Sequence, residues 1–402
     1  MPLRDYQEVA VQKMLNDASK KGNSVLCLGT AAGKSHLIAE YAKRLNLPIL
    51  ILCPNREILT QNKEKLALVV NPLDIGVFSA SLNEKTIKKY TFATIGSIYR
   101  KPDLFSHFST CIVDECHVVR PDQPNSMYMR FFRANSFPKT FGFTASPYIN
   151  VTETHFVSSE NRVRTFDSVT KIQLITRMNN SFWNRFIFNY DSKMLEDGQH
   201  TVKVIYHTHN LVNPDRIRLV SNGSDYDQDD FARKVRMYED KIIEYCMYSM
   251  EHHTSTLVFC ANVAQAESLQ SKMPIFSSVV TAATPPKERA RIIEDFKKGH
   301  ILVLFNVSCL TTGFDSPITD SIICLRPTKS IGLYQQFIGR GVRKSDGKTE
   351  CHVYDLSGTY DRLGKAVEIR LANNNGEFDL ISGSGKFWHD TETAKVRIKA
   401  RY

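Results

Sequence analysis

The sequence predicts an α/β protein built from two similar halves, each a doubly wound parallel sheet. Short β-branched apolar runs alternate along the chain with segments that are long enough for crossover helices. The runs are apolar at consecutive positions, which is typical of parallel strands that are buried on both faces. The series of runs occurs twice, with a polar region between the two series.

The elements follow from these runs and from helical spacing. Predicted strands of the first half are Val25–Leu28, Ile49–Cys53, Gly76–Phe78, Cys111–Val113 and Thr140–Phe143. Those of the second half are Thr256–Cys260, Ser278–Thr281, Ile301–Phe305, Ser321–Leu325 and His352–Leu356. Helical spacing predicts helices over Asp5–Ser19 and Lys287–Lys298, the latter starting after Pro285-Pro286. Asp346-Gly347-Lys348 predicts a tight turn before the last strand.

This pattern divides the chain into four regions. We expect a first domain at 1–150, a polar and aromatic-rich region at 151–240, a second domain at 241–360 and a basic C-terminal tail at 361–402. Part of the middle region would complete the first domain, and the rest would serve as a linker or a DNA-contacting insertion. The basic residues of the tail either stay solvated or follow a phosphate backbone.

Composition narrows the class of protein. Apolar residues make up 42% of the chain, which is enough for a large core. The net charge of +10 suits a polyanionic partner without requiring one. Nine cysteines, an odd number with no CxxC pair, predict a reducing compartment. No signal-peptide pattern and no apolar run of the roughly 20 residues that cross a bilayer occurs. We therefore expect a soluble cytoplasmic protein, of a bacterial or phage-infected cell.

A glycine-rich loop follows the first predicted strand and opens a helix. Its sequence is Gly29-Thr30-Ala31-Ala32-Gly33-Lys34-Ser35. Backbone N–H groups at a helix N-terminus bind phosphate oxygens. In such a loop Lys34 reaches the β- and γ-phosphates, and the Ser35 hydroxyl ligates Mg²⁺. The usual pattern places its first glycine at position 28, where this chain has Leu28. A chance Gly-Lys-Ser turn is the alternative that the loop alone leaves open.

An acidic pair ends another strand of the first half, in Val113-Asp114-Glu115-Cys116-His117. A carboxylate at a strand's carboxyl end can hold Mg²⁺ beside the phosphate loop, and its neighbour can align and deprotonate the attacking water. We assign Asp114 to the metal and Glu115 to the water. Without the phosphate loop, an exposed acidic pair would be the simpler interpretation.

Two arginines lie in the second half, in the stretch Gln336–Arg343. Arg340 and Arg343 are three residues apart, so we expect them to share one face of a helix. Planar guanidinium groups suit the charge that develops on a transferring γ-phosphoryl group. The alternative is a basic helix face that makes surface ion pairs.

The ordered set of motifs resembles the superfamily 2 helicases of the DExH type, with Asp-Glu-Cys-His as the box. The motifs extend from Leu3 to Arg343, and Gln336, Arg340 and Arg343 match the family's motif VI. The resemblance implies two tandem RecA-like domains of the P-loop NTPase fold, with ATP and Mg²⁺ bound between them and a nucleic-acid partner.

The resemblance also implies roles for further residues. Gln7 would bind the edge of the adenine, and Arg4 would stack on it. Residues that match nucleic-acid contact motifs are Pro54, Arg56, Thr94, Gly96, Ser97 and Thr311. Residues that match the machinery coupling hydrolysis to strand movement are His117, Thr144 and Ser146. In motif V, Gly313 and Asp315 lie on the nucleotide side. Donors of this kind suit a protein that grips phosphates rather than base edges.

Other features refine the resemblance. Arg326-Pro327-Thr328-Lys329-Ser330 is most similar to the branch that includes phage and bacterial DNA branch-migration helicases and restriction-enzyme helicase subunits. His117 in the fourth position of the box counts against the DEAD-box RNA helicases, and no nuclease motif supports a restriction subunit. Phe182, Trp183 and Phe186 are either core residues or a strand-separating wedge.

These observations favour an ATP-dependent DNA helicase or translocase that acts on single-stranded or branched DNA. Closure of the cleft on ATP would bring Arg340 and Arg343 to the γ-phosphate. An RNA helicase, a restriction-system subunit and a non-hydrolysing, ATP-gated binding scaffold stay open as alternatives. Nothing in the sequence requires an oligomer, so a monomer is compatible with it.

Overall fold

The computed structural model describes residues 2–160, 163–178, 180–273, 275–310, 314–374, 377–381 and 392–401. The chain folds into two compact units. Unit 1 comprises Met1–Ile149 with Gln173–Ser192, and unit 2 comprises Asn150–Ile172 with Lys193–Tyr402. The predicted α/β fold with parallel sheets is confirmed.

Unit 1 is a layered α/β structure. Its helices are α1 (Asp5–Asp17), α2 (Lys34–Leu45), α3 (Arg56–Ala67), α4 (Ile95–Ile98) and α5 (Met127–Ala134). Its first strands are β1 (Ser24–Leu28), β2 (Ile49–Cys53), β3 (Ile75–Ser79), β4 (Glu84–Lys85), β5 (Tyr90–Thr94), β6 (Thr110–Asp114) and β7 (Lys139–Thr144). The chain then runs through β8 (Tyr148–Glu160) and β9 (Val163–Leu174), and returns to unit 1 as β10 (Arg185–Tyr190).

Strands β1 to β7 and β10 form an eight-stranded sheet in the order β10-β1-β7-β6-β2-β5-β3-β4. All neighbours pair in parallel except β3 and β4. Strands β1, β2, β3, β6 and β7 are buried along their whole length, as consecutive apolar positions predict. The sequence pattern did not reveal β5, whose Thr91 hydroxyl occupies a buried position by bonding the backbone of Lys88.

Unit 2 repeats this architecture. Its helices are α6 (Ser192–Asp197), α7 (Gln228–Val235), α8 (Glu239–His252), α9 (Val263–Ser271), α10 (Pro286–Lys297), α11 (Ile331–Ile338) and α12 (Thr359–Leu363). Its strands are β11 (Lys203–Thr208), β12 (Thr256–Cys260), β13 (Ser277–Val280), β14 (Val303–Asn306), β15 (Ser321–Leu325) and β16 (Glu350–Asp355). They form a parallel sheet in the order β11-β16-β15-β12-β14-β13.

The two sheets share one winding. In unit 1 the strands run β1-β7-β6-β2-β5-β3, and in unit 2 the same positions hold β11-β16-β15-β12-β14-β13. The helix N-caps that follow β2 and β12 also agree: Asn55 and Asn262 each accept a bond at 2.9 Å from the N–H three residues on. Ligands of parallel sheets bind at the carboxyl ends of the strands, so this winding sets where each motif lies.

The C-terminal region adds small antiparallel elements. Strands β17 (Arg370–Asn374) and β18 (Glu377–Ile381) form a hairpin, and β19 (Glu392–Arg401) pairs with β9 in a three-stranded sheet with β8. The predicted turn at Asp346-Gly347-Lys348 is confirmed, since Gly347 has a φ of 75°. Among the helices described, no helix is long and apolar enough to span a membrane.

The aromatic cluster of the middle region belongs to the core of unit 1. Trp183 is fully buried, and its indole N–H donates to the carbonyl of Cys116 at 3.2 Å. Phe182 and Phe186 pack against the same core. The alternative of a strand-separating wedge is therefore wrong, because these rings hold β10 and the acidic turn together. Eight of the nine cysteines are likewise buried, and all nine are free thiols.

Candidate nucleotide site and nucleic-acid interface

The phosphate loop joins β1 to α2 at the carboxyl edge of the first sheet. Leu28 is the last residue of β1 and fully buried, so the loop begins at Gly29, which donates its N–H to Tyr190 at 2.9 Å. Ala31 and Gly33 take left-handed backbone angles, with φ of 71° and 77°. A left-handed φ at Gly33 strains any residue with a Cβ, and a Cβ there would also displace the side-chain amide of Gln7, so this position favours glycine.

Lys34 meets both acidic residues of the box. Its ammonium group forms an ion pair with Glu115, and it lies 3.9 Å from the Asp114 carboxylate. Burial opposes the charge on Lys34, but the two carboxylates outweigh that effect and raise the pKa of Lys34. The strand order explains the meeting, because β7 alone separates the carboxyl ends of β1 and β6. Two motifs that are distant in sequence thus form one charged group.

The acidic turn is held by contacts that the sequence did not indicate. Asn62 on α3 donates to Asp114 at 2.9 Å, and the N–H of Glu115 donates to the same carboxylate at 3.0 Å. Burial raises the pKa of Asp114 above its usual range, against the opposing effect of Lys34. Glu115 itself has a left-handed φ of 52°. Nothing in the spacing of Asn62 along α3 marks it as the residue that orients Asp114.

His117 connects the acidic turn to β7. Its Nδ1 lies 3.0 Å from the Thr144 hydroxyl and 3.6 Å from the Glu115 carboxylate. The Thr144 hydroxyl also accepts from the N–H of Ser146 at 2.9 Å. Burial lowers the pKa of His117, so the ring is neutral near pH 7. The three residues assigned to coupling by resemblance therefore form one hydrogen-bonded chain.

The residues that resemblance assigns to adenine binding touch the loop at Gly29–Ser35. The Gln7 amide and the Tyr6 hydroxyl each donate to the carbonyl of Ala32 at 2.9 Å. Arg4 donates its N–H to Gln7 at 3.0 Å, and the Tyr6 ring stacks on Tyr190 with centroids 4.1 Å apart. Sequence reasoning did not single out Tyr6 or Tyr190. The apolar pattern of α1 marks Tyr6 only as a buried position.

The residues assigned to nucleic-acid contact in unit 1 gather at the carboxyl edge of the sheet. Cys53 and Thr94 are paired across β2 and β5, which places Pro54 and Arg56 beside the Thr94 turn. The Thr94 hydroxyl lies 2.9 Å from that of Ser97. Arg56 is half-buried and forms a 3.0 Å ion pair with its neighbour Glu57.

Gly96 faces open space, since a Cβ there would meet no atom within 4 Å. The edge therefore presents hydroxyl groups, one guanidinium group and a surface with room for a backbone.

In unit 2 the two motif VI arginines converge on one carbonyl. Arg340 and Arg343 both donate to the backbone oxygen of Phe314, and Arg343 forms a 2.6 Å ion pair with Asp315. The expectation of a shared helix face is wrong, because α11 ends at Ile338 and both arginines lie in the turn beyond it. A Cβ on Gly341 would lie 2.2 Å from the sulfur of Cys351, which fits the tight packing of this turn.

The last five predicted site residues belong to α11, to motif V and to the phosphate loop. Gln336 is half-buried on α11, whereas its neighbour Gln335 is buried and donates to the carbonyls of Ala366 and Ile369. Thr311 and Gly313 lie outside the described residues. Thr30 and Ser35 are half-buried in the phosphate loop and the first turn of α2. Within the described part of the chain, no group of three or more histidine, cysteine and carboxylate ligands has the arrangement of a metal site.

Two family models match the chain, one in each half. Residues 1–149 match the res subunit of type III restriction enzymes, and residues 238–345 match the conserved C-terminal domain of helicases. The first match contains the phosphate loop and the acidic box, and the second contains both arginines. The match of residues 1–149 supports the use of ATP, and the two matches together support a helicase.

The yeast protein IRC3 of Saccharomyces cerevisiae, named as an ATP-dependent helicase, is 26% identical over 89% of this chain and 51% of its own length. This chain therefore spans about half the length of that relative. Two solved structures share the fold. A Type ISP restriction-modification enzyme, LlaBIII, bound to DNA has a TM-score of 0.63 at 16% identity, over 88% of this chain and 27% of its own.

The second is S. cerevisiae Dbp5 bound to RNA and ADP BeF3, which has a TM-score of 0.58 at 14% identity, over 90% of this chain and 87% of its own. Its parallel sheets and those of LlaBIII share the tandem RecA-like arrangement of this chain. The two family matches and the yeast relative support an assignment of the chain to the helicases of superfamily 2.

Proposed function

We propose that this protein is a nucleic-acid-dependent ATPase that acts as a helicase or translocase on single-stranded or branched DNA. The observation that carries the proposal is the group of Lys34, Asp114 and Glu115 at the end of the phosphate loop. A half-buried ammonium group between two carboxylates, beside a loop with left-handed residues, has the parts that phosphoryl transfer to water requires.

The ion pair of Lys34 and Glu115 suggests how hydrolysis is prepared. A triphosphate in the loop offers Lys34 a stronger partner, so its ammonium group turns from Glu115 to the β- and γ-phosphates. Glu115 is then free to orient a water and to accept its proton. Backbone N–H groups at the N-terminus of α2 supply donors for the phosphates.

The residues present also fit a magnesium ion. Asp114 is buried and oriented by Asn62, and the Ser35 hydroxyl lies at the start of α2. Mg²⁺ is usually held by one or two protein ligands together with phosphates and waters, so a set of two oxygens is sufficient. When bound there, Mg²⁺ supplies charge neutralisation for the phosphates.

Unit 2 would contribute the charges that complete the reaction. In our proposal Arg340 and Arg343 stabilise the negative charge that develops on the γ-phosphoryl group. Both guanidinium groups share the Phe314 carbonyl, which limits their freedom before the nucleotide arrives.

The proposal is tested by ATPase assays of the full chain with and without single-stranded DNA. We expect Lys34→Ala to abolish ATP turnover by removing the phosphate ligand. Glu115→Gln should keep nucleotide binding and lower the turnover rate about 10²–10⁴-fold, because only the base is lost. Lys43→Ala on the exposed side of the same helix is the matched control. Full DNA-stimulated activity in either site variant would refute the assignment.

The choice of DNA rests on the match of residues 1–149 to a restriction-enzyme subunit. The same assay with RNA in place of DNA separates an RNA helicase from a DNA helicase. Unwinding of forks, three-way junctions and four-way junctions, compared with blunt duplex, tests the preference for branched DNA. Absence of ATP turnover with every polynucleotide tested would favour a scaffold that only binds ATP.

A further inference from the structure

Arg326 occupies a distinctive place at the carboxyl edge of the second sheet. It directly follows β15, and its guanidinium group donates to the hydroxyl of Ser308, which follows β14. Strand β12 lies between β15 and β14 in the sheet. The arginine side chain therefore extends over the end of β12 and links the loop after β15 to the loop after β14.

The loop that carries Arg326 is held firmly. Gln228 donates to the carbonyl of Pro327 at 3.0 Å, and Thr328 donates to the Asp225 carboxylate at 2.9 Å. Asp225 also accepts from the N–H of Lys329 at 2.7 Å. In addition, Pro327 restricts the backbone of Arg326 to extended conformations. These contacts place the guanidinium group before any ligand arrives.

The charge on Arg326 is poorly compensated. The side chain is half-buried, and among the described residues no carboxylate oxygen lies within the 4.0 Å of an ion pair with it. Its Nε is buried without a hydrogen-bond partner in the described part of the chain. Burial lowers the pKa of Arg326, partly offset by Asp225, yet an arginine keeps its charge at neutral pH. A partly buried cation of this kind is costly unless an anion joins it.

The corresponding edge of unit 1 carries the residues assigned to nucleic-acid contact. The ends of β2 and β5 hold those residues, and β12 and β14 are their counterparts in the shared winding. Arg326 lies over the end of β12 and touches Ser308, two residues beyond the end of β14, so it occupies the equivalent place in unit 2. A guanidinium group recognises a phosphodiester through two parallel N–H donors.

We propose that Arg326 binds a backbone phosphate of the nucleic-acid strand at the carboxyl edge of unit 2. This proposal rests on the proposed function, because it presumes that the chain binds a polynucleotide. Ser308 orients the guanidinium group, and the phosphate supplies the anion that Arg326 lacks. The contact is independent of base sequence, as a translocating enzyme requires.

Fluorescence anisotropy of the full chain with a labelled oligo(dT) strand, across a range of salt concentrations, tests the proposal. Loss of one phosphate contact should reduce the slope of log affinity against log salt by about 0.7 for a single strand. We expect this reduction in Arg326→Gln, together with weaker binding. Arg326→Lys should keep the slope, because it keeps the charge. Ser308→Ala should also keep the slope, although its binding is weaker.

The matched control is Lys297→Gln, which removes one positive charge from the exposed end of α10. That helix ends shortly before β14 begins, so Lys297 lies at the opposite, amino edge of the sheet. The slope of log affinity against log salt for Lys297→Gln should equal that of the wild type. An unchanged slope in Arg326→Gln would overturn the proposal, as would equal slope changes in Arg326→Gln and Ser308→Ala. A wild-type chain that binds no polynucleotide would instead refute the proposed function, and melting temperatures identify any variant that has not folded.

Discussion

Glu115 shows how the acidic box is shaped at the level of one residue. It takes a left-handed φ of 52°, which costs an ordinary side chain about 1–2 kcal/mol. The bond from its own N–H to Asp114 and the ion pair with Lys34 hold it there. The strained backbone directs the Asp114 and Glu115 carboxylates toward the same lysine, which consecutive residues of a continuing strand could not do.

A prediction at this scale concerns His117. Its bond to Thr144 links the acidic turn to the end of β7, and burial keeps the ring neutral. We expect His117→Ala to leave DNA-stimulated ATP turnover within a few-fold of the wild type. Strand displacement per ATP should fall at least tenfold, because the link between the two motifs is lost. Both quantities can be measured in one assay that follows phosphate release and unwinding together.

Thr144→Val, which removes the hydroxyl from the other end of the same bond, should give the same ratio as His117→Ala. A proportional loss of turnover and unwinding in both variants would show that this link serves hydrolysis alone.

At the level of elements, a buried network of charged side chains links one helix and three strands at the amino edge of the sheet in unit 1. The Lys139 ammonium group forms a 2.5 Å ion pair with Asp17, and Arg185 bonds the same carboxylate at 2.7 Å. Lys139 also donates to the Ser24 hydroxyl at 3.0 Å. The network connects α1, β1, β7 and β10, so it fixes the strands that carry the phosphate loop and the coupling residues.

We expect Lys139→Ala to lower the free energy of unfolding of unit 1 by about 3–5 kcal/mol, since it leaves Asp17 buried beside a single remaining cation. Lys139→Met should cost less than Lys139→Ala, because it refills the space. Urea titration of the full chain in a Trp388→Phe background, followed by the fluorescence of Trp183 in unit 1, measures both variants. Lys20→Ala, at an exposed position near α1, is the control. Equal stability of Lys139→Ala and the wild type would contradict this account.

Helix α11 shows a limit of reasoning from residue spacing. Two arginines three apart predict a common helix face, yet the helix ends at Ile338. The arginines still act together, since both reach the carbonyl of Phe314. Their convergence comes from the turn that follows the helix and from the position of motif V beside it. Spacing alone contains no information about that neighbour.

For the whole molecule, the histidines predict a common response to acid. Burial lowers the pKa of His36 and His117 in unit 1 and of His207 and His253 in unit 2. A histidine whose folded pKa lies below its unfolded value binds more protons when the chain unfolds. The stabilisation it gives is therefore present above about pH 6.5 and is lost as the pH falls below that value.

We expect the melting temperature of the full chain to fall steadily between about pH 7.5 and pH 5. In unit 2, His207 lies 3.0 Å from His352, which also bonds Glu350, and the His253 ring contacts His352. His207→Asn should flatten the acid side of the curve, because it removes an imidazole whose pKa is lowered by burial. Differential scanning calorimetry in buffers of constant ionic strength measures the effect. A melting temperature that rises on acidification would contradict the prediction.

The sequence by itself determined most of the buried strands and the residue types of the loop at Gly29–Ser35. Apolar runs such as Ile49–Cys53 and Ser321–Leu325 match their strands at both ends, because parallel strands buried on both faces need consecutive apolar residues. The loop at Gly29–Ser35 was visible because left-handed backbone positions and phosphate binding restrict the residue types. Both the apolar runs and the glycine-rich loop are local patterns, so each can be recognised from one short segment of the chain.

Only the tertiary structure decided which partners surround those motifs. Asn62 bonds Asp114 across 52 residues, and Trp183 enters the core beside Cys116 from a segment that also allowed a wedge. Arg326 meets Ser308 because one strand separates their loops in space. Such pairs depend on the order of strands in a sheet, which brings residues together irrespective of their separation in the chain. A sequence pattern records the period of each element, whereas strand order follows from how all the elements bury their apolar faces together.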